Sequence, residues 1–309
     1  MTYRIVSLLP AATEILYALG LRDAIVGRSH ECDYPPGALD YPVCTRTRVF
    51  SETGDSASIH RDIVHLIEQA LAIYEVDTER LKALRPTHIL TQDMCSVCAV
   101  SPQDLTKALG DWLGEAPVLI SLSPNTLEDI FCDILRMGEV FQKPFEAEDY
   151  VGACWKRIHR VLARGQDISP KPSVVCIEWT DPLLVAGHWV PELVQGSGGR
   201  ALLATPGQRA MPITMHHLAE VNPDIIVAMP CGFHLEQTHH AMQTLRAHPL
   251  WPTLNAVRNQ QVYITNGNQF FNRPGPRIVE SLEILAEILH PQVFSFGHRG
   301  TGWRSFTKD

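Results

Sequence analysis

The stretch THILTQDMCSVC, residues 87–98, joins the end of an apolar β-type run to two thiols, Cys95 and Cys98. In a parallel α/β sheet, the loops that follow the carboxyl ends of the strands line the binding crevice. Two further runs end in the same way, DIIVAMPCGF (224–233) and AIVGRSHECDY (24–34). We therefore expect sulfur and imidazole groups from separate strand ends to meet at one ligand site.

The length of 309 residues is too great for one ordinary core and suits two lobes of about 150 residues each. The formal net charge of −8 is opposite to the positive potential that nucleic-acid binding requires, so we predict no nucleic-acid partner. Every apolar run is shorter than the roughly 18 residues of a membrane-spanning helix, so we predict no membrane span.

The first residues, MTYRIVSLL (1–9), lead directly into a predicted strand. A secretory signal would place a basic start, an apolar stretch and a cleavage site before the fold. The pattern therefore predicts a cytoplasmic protein, or a periplasmic one if a signal was removed. The eight cysteines fit a reducing compartment, where thiols are more often metal-binding, reactive or buried than disulfide-bonded.

Strand-like and helical patterns alternate along the chain, which is typical of parallel sheets covered by helices. Helical patterning is nearly continuous over 126–163, and its second part has no strand beside it. We interpret that part as one stiff helix that connects two similar α/β lobes. The predicted boundaries are 1–143 for the N-terminal lobe, 144–168 for the connecting helix, 169–292 for the C-terminal lobe, and 293–309 for a polar tail, which we expect to be mobile from His298.

Aromatic residues follow several predicted strands and offer the platforms that a large, flat, amphipathic ligand needs. Trp179 follows the strand predicted at 173–177, so we expect its indole at the mouth of the site. Trp189, Phe270 and Tyr34 follow other predicted strands. The alternative is that these aromatics pack in the core, and this is less expected for Trp179 and Tyr34 because their neighbours are polar.

The spacing of Cys95 and Cys98 lets both thiolates reach one zinc ion and supplies half of a tetrahedral site. Cys231, Cys32 and His30 are candidates to complete it from other loops. The same spacing is typical of a redox dithiol. A third interpretation is a pair of structural thiols in a tight loop, and the three interpretations stay open.

Neutral imidazole is a good nitrogen ligand for a transition metal at the centre of a flat ligand. His30 ranks first among the candidate axial ligands because its loop shares the predicted crevice of the first lobe with Cys95. His188 and His234 are similar candidates from the second lobe. For any single loop histidine, the alternative is exposure to solvent or a local hydrogen bond.

Several stretches match a known family, namely RIVSLLPAATE (4–14), ERL (79–81), VNPDII (221–226) and RPGPR (273–277). They resemble the cobalamin- and siderophore-type substrate-binding proteins, and most closely the vitamin B12-binding branch. The resemblance covers nearly the whole chain and implies the class III periplasmic-binding-protein fold. That α/β fold has two Rossmann-like lobes with parallel sheets, joined by a single long connecting helix, with the ligand in the cleft.

The resemblance also bears on partners. Family members usually present one glutamate from each lobe to arginines of a membrane permease. Glu79 matches the first glutamate, whereas His216 or His217 stands at the second position. We therefore expect a small-molecule corrinoid as the partner and treat docking of an ABC permease through Glu79 as an open hypothesis.

Together these patterns predict a binding protein for cobalamin or a related corrinoid or tetrapyrrole, which holds its ligand without changing it. One alternative is a metal or haem carrier, with zinc or iron held by Cys95, Cys98, Cys231 and His30. The other is a thiol- or corrinoid-dependent enzyme, although the sequence has no nucleophile elbow or phosphate-binding glycine loop. The predicted ligand-binding residues are His30, Tyr34, Cys95, Cys98, Trp179, Trp189, Cys231, Phe233, Phe270 and Arg273.

Overall fold

The computed structural model describes residues 3–49, 54–68, 74–92, 105 and 116–306. The chain divides into two compact units. The first unit comprises Met1–Thr53, Arg61–Pro124 and Asp129–Gly152, and the second comprises Gly54–His60, Asn125–Glu128 and Ala153–Asp309. Cys95 and Cys98, with the loop between them, lie outside the described residues.

The described part of the first unit contains six strands: β1 (Ile5–Ser7), β2 (Ile25–Arg28), β3 (Thr45–Thr47), β4 (Tyr74–Val76), β5 (His88–Gln92) and β6 (Val118–Leu122). Four of them form a parallel sheet in the order β2-β1-β5-β6. The central strands are buried on both faces, which is why they read as continuous apolar runs. Strands β3 and β4 form a separate antiparallel pair.

Five helices begin in the first 150 residues of the described chain: α1 (Pro10–Ala18), α2 (Ser56–Glu68), α3 (Thr78–Leu84), α4 (Leu127–Val140) and α5 (Pro144–Gln166). Helix α1 begins at Pro10, whose fixed φ suits the first helical position. It ends before Gly20, which has a φ of 70° that favours glycine. Asp77 begins α3, because its carboxylate accepts a hydrogen bond from the backbone N–H of Arg80 at 2.9 Å.

The second unit is built on seven strands: β7 (Ser173–Thr180), β8 (Leu183–Val185), β9 (Arg200–Ala201), β10 (Met211–Pro212), β11 (Ile225–Ala228), β12 (Val262–Thr265) and β13 (Trp303–Ser305). They form one sheet in the order β10-β8-β7-β11-β12-β13, with β9 beside β7. Strands β7, β11 and β12 are parallel, as predicted, but β8 and β13 run antiparallel to their neighbours. The connection from β7 to β8 is short, and a short connection can join only antiparallel strands.

The helices of this unit are α6 (Val190–Gly196), α7 (Met215–Val221), α8 (Leu235–Arg246), α9 (Asn255–Arg258) and α10 (Ile278–Leu289). The core lies between the sheet and α8, where Ile177 and Ile226 contact Met242 and Trp251 within one buried cluster. Burial of such side chains supplies about 1.5–3 kcal/mol each, which makes this layer the main source of stability in the unit.

Helix α5 is the predicted connector and runs for 23 residues. Its residues up to Gly152 belong to the first unit, and those from Ala153 belong to the second. Near its end it packs closely in the second unit, since a Cβ on Gly165 would lie 2.8 Å from the carbonyl oxygen of Gly196. Over the described ranges, no helix combines the length and the apolar composition needed to cross a membrane.

The expectation of a mobile tail from His298 is wrong for the described residues up to 306. Strand β13 pairs with β12, and Trp303 is buried. The carboxylate of Glu287 holds this segment. It accepts hydrogen bonds from the backbone N–H groups of Phe296 and Gly297 and from the indole N–H of Trp303 at 2.7 Å. A buried carboxylate is stable only with such donors, and the polar tail provides them.

We predict that Glu287→Gln destabilises the second unit by about 1–3 kcal/mol. Both carboxylate oxygens of Glu287 accept hydrogen bonds. A glutamine amide replaces one of these oxygens with an NH₂ group, so in either orientation one donor of the protein faces another donor. Urea unfolding measures the loss, and hydrogen exchange of the amides at 296–305 shows whether the tail opens. Glu236→Gln is the control, because Glu236 forms a surface ion pair with Arg304. Equal stability of the two variants would refute the anchoring role of Glu287.

Candidate ligand-binding face of the second unit

The carboxyl ends of β7, β11 and β12 meet at one edge of the second sheet, which we call the ligand face. The segments that leave these ends are tied to one another by backbone hydrogen bonds. The N–H of Cys231 donates to the carbonyl of Glu178 at 3.3 Å, and the N–H of Asn268 donates to the carbonyl of Phe233 at 3.1 Å. Gly267 packs so closely on Pro230 that a Cβ would overlap its carbonyl oxygen. The face is therefore a rigid arrangement rather than a set of independent loops.

The aromatic centre of the ligand face is a group that we call the Trp179 cluster. It consists of Trp179, Phe233 and Ala241, with the partly buried Ile59, Leu184 and Cys231 packed against them. The rings of Trp179 and Phe233 are 5.3 Å apart and tilted by 52°. The sequence analysis named three of these residues, Trp179, Cys231 and Phe233, and the structure brings them together.

Trp179 is less accessible than the sequence suggested. We expected its indole at the mouth of the site, but the residue is only 9% exposed. Its indole N–H donates to the carbonyl of Asp181 at 3.0 Å, so the polar end is also occupied. Ile59 contributes to this burial although it lies 120 residues away in the sequence. The polar sequence neighbours of Trp179 therefore did not indicate how exposed its side chain is.

Trp189 belongs to the core and not to an open surface. It is 4% exposed, and its indole N–H donates to the carbonyl of Phe271 at 3.2 Å. The sequence analysis assumed that Trp189 follows a strand parallel to β7. Because β8 is antiparallel, its end points away from the edge where β7, β11 and β12 end.

Phe270, Arg273 and Arg277 lie together after β12. The guanidinium of Arg277 lies 5.6 Å from the centre of the half-buried Phe270 ring, within the range of a cation–π contact. Arg273 is 4% exposed and donates to the amide oxygen of Asn268 at 3.1 Å. Two buried cations beside an aromatic ring make this part of the ligand face suitable for a carboxylate, phosphate or carbonyl oxygen.

Glu178 is a residue of this face that the sequence analysis missed. It is the charged residue within the largely apolar strand SVVCIEWT, residues 173–180. A charge in such a strand was the feature of the sequence that could have identified Glu178. Burial raises the pKa of its carboxyl group to about 7, and a backbone hydrogen bond from Gly187 offsets part of that effect. A carboxyl group with such a pKa exists in both protonation states near neutral pH.

The candidate residues of the first unit lie after β2. The Nδ1 atom of His30 is 2.8 Å from the hydroxyl of Thr45, and its Nε2 atom is buried without a hydrogen bond. Nε2 lies 3.3 Å from a carboxylate oxygen of Glu31. Tyr34 is 40% exposed and remains accessible to a ligand. His30, Glu31, Tyr34 and Thr45 all belong to the first unit.

The thiols divide into buried and accessible groups. Cys32, Cys44, Cys154 and Cys176 are buried, Cys132 is exposed, and Cys231 is the partly exposed thiol of the ligand face. Burial raises the pKa of Cys44 to about 11 and that of Cys176 to about 12, so both stay protonated and are poor metal ligands. Within the described ranges, no group of three or more His, Cys, Asp and Glu side chains is arranged to hold a metal ion. Cys95 and Cys98 fall outside those ranges.

The two positions considered for partner docking are both exposed. The side chain of Glu79 is 85% exposed and lies 3.5 Å from the ammonium group of Lys82. His217 is engaged at the start of α7, where its ring accepts the backbone N–H of Thr214 at 3.3 Å and its own N–H donates to the Thr214 hydroxyl at 3.2 Å. Glu79 is therefore available for an ionic contact, and His217 has a local structural role.

Two α/β units, a single connecting helix and a ligand face at strand ends define a bilobal substrate-binding protein. The chain belongs to the periplasmic binding protein family, whose model matches residues 5–268. This confirms the predicted class III fold. Members of the family are substrate-binding proteins of ABC transporters and not enzymes, so the prediction of a binding protein is confirmed and the enzyme alternative is not supported.

Relatives of this chain bind more than one kind of ligand. It is 24% identical to the vitamin B12-binding protein of Vibrio cholerae over 297 residues, which cover 93% of this chain and 88% of the relative. It is also 24% identical to an uncharacterised ABC transporter substrate-binding lipoprotein of Bacillus subtilis, with 94% of this chain and 81% of that protein covered. A periplasmic haem-binding protein of Pseudomonas aeruginosa has the same fold, with a TM-score of 0.75, 20% identity and full coverage of both chains.

We predict that Glu178→Gln makes the second unit less sensitive to pH. The pKa of Glu178 rises from its ordinary 4.5 to about 7 on folding, so the native state holds a proton that the unfolded state has lost. The stability of the natural protein therefore falls as pH rises from about 5 to above 7, and it stays low beyond that. At pH about 8 the variant should be more stable by about 1–3 kcal/mol, and at pH about 5 the two should be equal.

Urea unfolding at several pH values measures this difference. Glu236→Gln is a control of opposite sign, because the hydrogen bond from Arg304 lowers the pKa of Glu236 and its removal takes away stability above the ordinary pKa. If Glu178→Gln gives the same change in stability at pH 5 and pH 8, then Glu178 ionises normally and the buried carboxyl assignment is wrong.

Proposed function

We propose that this chain is a substrate-binding protein for a tetrapyrrole, with cobalamin or a related corrinoid as the preferred ligand. The observation that carries this proposal is the similarity to a vitamin B12-binding protein over 93% of the chain. A sequence identity of 24% does not by itself establish which ligand this chain binds. The side chains of the ligand face must therefore also suit a corrinoid.

The ligand face has the properties that a corrinoid requires. A corrin ring is large, flat and amphipathic, with an apolar surface and polar groups around its rim. Phe233 and Phe270 offer apolar contact, and Arg273 and Arg277 offer hydrogen-bond donors beside it. Sites for such ligands combine aromatic walls with a few oriented polar groups.

His30 is the residue we propose as an axial ligand. The Thr45 hydroxyl donates its proton to the hydroxyl of Ser29 at 3.2 Å, so it acts as an acceptor towards His30. The Nδ1 atom of His30 therefore carries the proton of the ring. With the proton on Nδ1, the lone pair of imidazole is on Nε2. Among the described residues that atom has no hydrogen bond, although a carboxylate oxygen of Glu31 lies 3.3 Å from it. This is the tautomer that a histidine ligand needs, fixed by its second nitrogen.

A haem is the second candidate ligand, and two observations favour it. The fold matches that of a haem-binding protein over its full length, and iron accepts the same axial imidazole as cobalt. The buried arginines of the ligand face also suit the carboxylates on a haem rim. Zinc or iron bound directly by Cys95, Cys98, Cys231 and His30 remains a third proposal, and metal analysis of the purified protein tests it.

We predict that adding cobalamin to the ligand-free protein shifts the corrin absorbance bands with a stoichiometry of one ligand per chain. His30→Ala should keep binding but lose most of the band shift, because the bands respond to the axial ligand. His216→Ala is the control, since His216 is exposed on α7. A parallel titration with haem ranks the two ligands, and absence of binding to both would refute the tetrapyrrole proposal.

The second proposal under this function is a permease contact through Glu79. An exposed carboxylate is able to pair with arginine on a membrane partner, and such rim pairs act mainly on the rate of association. We predict that Glu79→Ala weakens binding to the ABC permease of the same organism, held in nanodiscs, by about 3- to 10-fold at low salt. Glu148→Ala is the matched control, because Glu148 is an exposed carboxylate on α5. Equal binding by both variants would remove the contact.

A further inference from the structure

The first turn of α2 covers the ligand face of the second unit. By its contacts the segment Gly54–His60 belongs to the second unit, although its chain neighbours from Arg61 onward belong to the first. Ile59 packs against the Trp179 cluster. The turn is therefore a crossing segment that lies on the aromatic residues we assign to the ligand.

One hydrogen bond joins this turn to the end of β7. The hydroxyl groups of Ser56 and Thr180 are 2.7 Å apart, and both residues are almost fully buried, at 4% and 3% exposed. The turn itself is well formed, because Asp55 accepts the backbone N–H of Ser58 at 2.9 Å. A neutral hydrogen bond contributes only about 0.5–1.5 kcal/mol, so the contact between Ser56 and Thr180 by itself holds the turn weakly.

We infer that the first turn of α2 is a latch, which shields Trp179 and Cys231 when closed and opens to admit the ligand. The inference rests on the proposed function for the nature of the ligand, but not for the shielding itself. It also explains the low exposure of Trp179. When only the open fraction binds, the apparent affinity is reduced by that fraction, so a weaker latch gives tighter and faster binding.

The turn could either block the ligand face or contact the bound ligand, and these two roles predict opposite results. If Ser56 and Ile59 block the face, Ser56→Ala with Ile59→Ala increases the association rate for cobalamin by about 5- to 10-fold, which corresponds to the loss of about one hydrogen bond. If the same residues contact the bound ligand, the double variant binds more weakly. Thr180→Val should reproduce the effect of Ser56→Ala from the other side, with no additional gain when both are combined.

Alkylation of Cys231 measures the shielding without any ligand. Iodoacetamide labelling, followed by peptide mass spectrometry, should be several-fold faster at Cys231 in the Ser56→Ala, Ile59→Ala variant. Ser58→Ala is the matched control, because the Ser58 hydroxyl donates to the carbonyl of Asp55 within the same turn. Unchanged labelling of Cys231 overturns the latch whatever the protein binds.

A crosslinked variant tests the same idea in the other direction. The 2.7 Å separation of the two hydroxyl oxygens places positions 56 and 180 within reach of a disulfide in Ser56→Cys, Thr180→Cys. The oxidised form should bind cobalamin at least 10-fold more slowly, and a reductant should restore the rate. Rapid binding by the oxidised form overturns the latch.

Faster labelling of Cys231 without binding of cobalamin or haem would instead refute the proposed function and leave the latch intact.

Discussion

The parallel pairing of β7, β11 and β12 is the constraint on which the candidate site depends. Parallel strands bring their carboxyl ends to one edge, so residues from 178, 231 and 268 become neighbours although they are far apart in the chain. The backbone hydrogen bonds between these segments then fix their relative positions. Binding residues on such a frame are held in place before the ligand arrives, which lowers the entropic cost of binding.

A second constraint concerns charge inside the second unit. Helix α10 is buried at every residue except Glu280, yet it contains Glu283 and Glu287. Each carboxylate has its own set of donors: Arg157 and His298 for Glu283, and the tail backbone with Trp303 for Glu287. The helix tolerates its charges because the connecting helix and the tail supply these groups. The polar composition of the tail therefore serves the fold.

The ligand face combines apolar, aromatic and cationic groups, and proteins similar to this chain bind vitamin B12 or haem. Both ligands are flat tetrapyrroles with a central metal and oxygen-bearing groups around the rim. A face of the second unit that combines aromatic side chains with buried arginines suits the common chemistry of the two.

The sequence by itself determined the strongly periodic elements of this protein. The strand predicted at 173–177 lies within Ser173–Thr180, because its apolar residues form a continuous run. Motif resemblance also identified the family and the connecting helix. Tertiary structure alone decided the rest. The strand Trp303–Ser305 has a polar sequence and exists through its pairing with β12, and Trp179 is buried by Ile59, which no local pattern connects to it. Local patterns record short-range preferences, whereas these two features arise from contacts between segments distant in sequence.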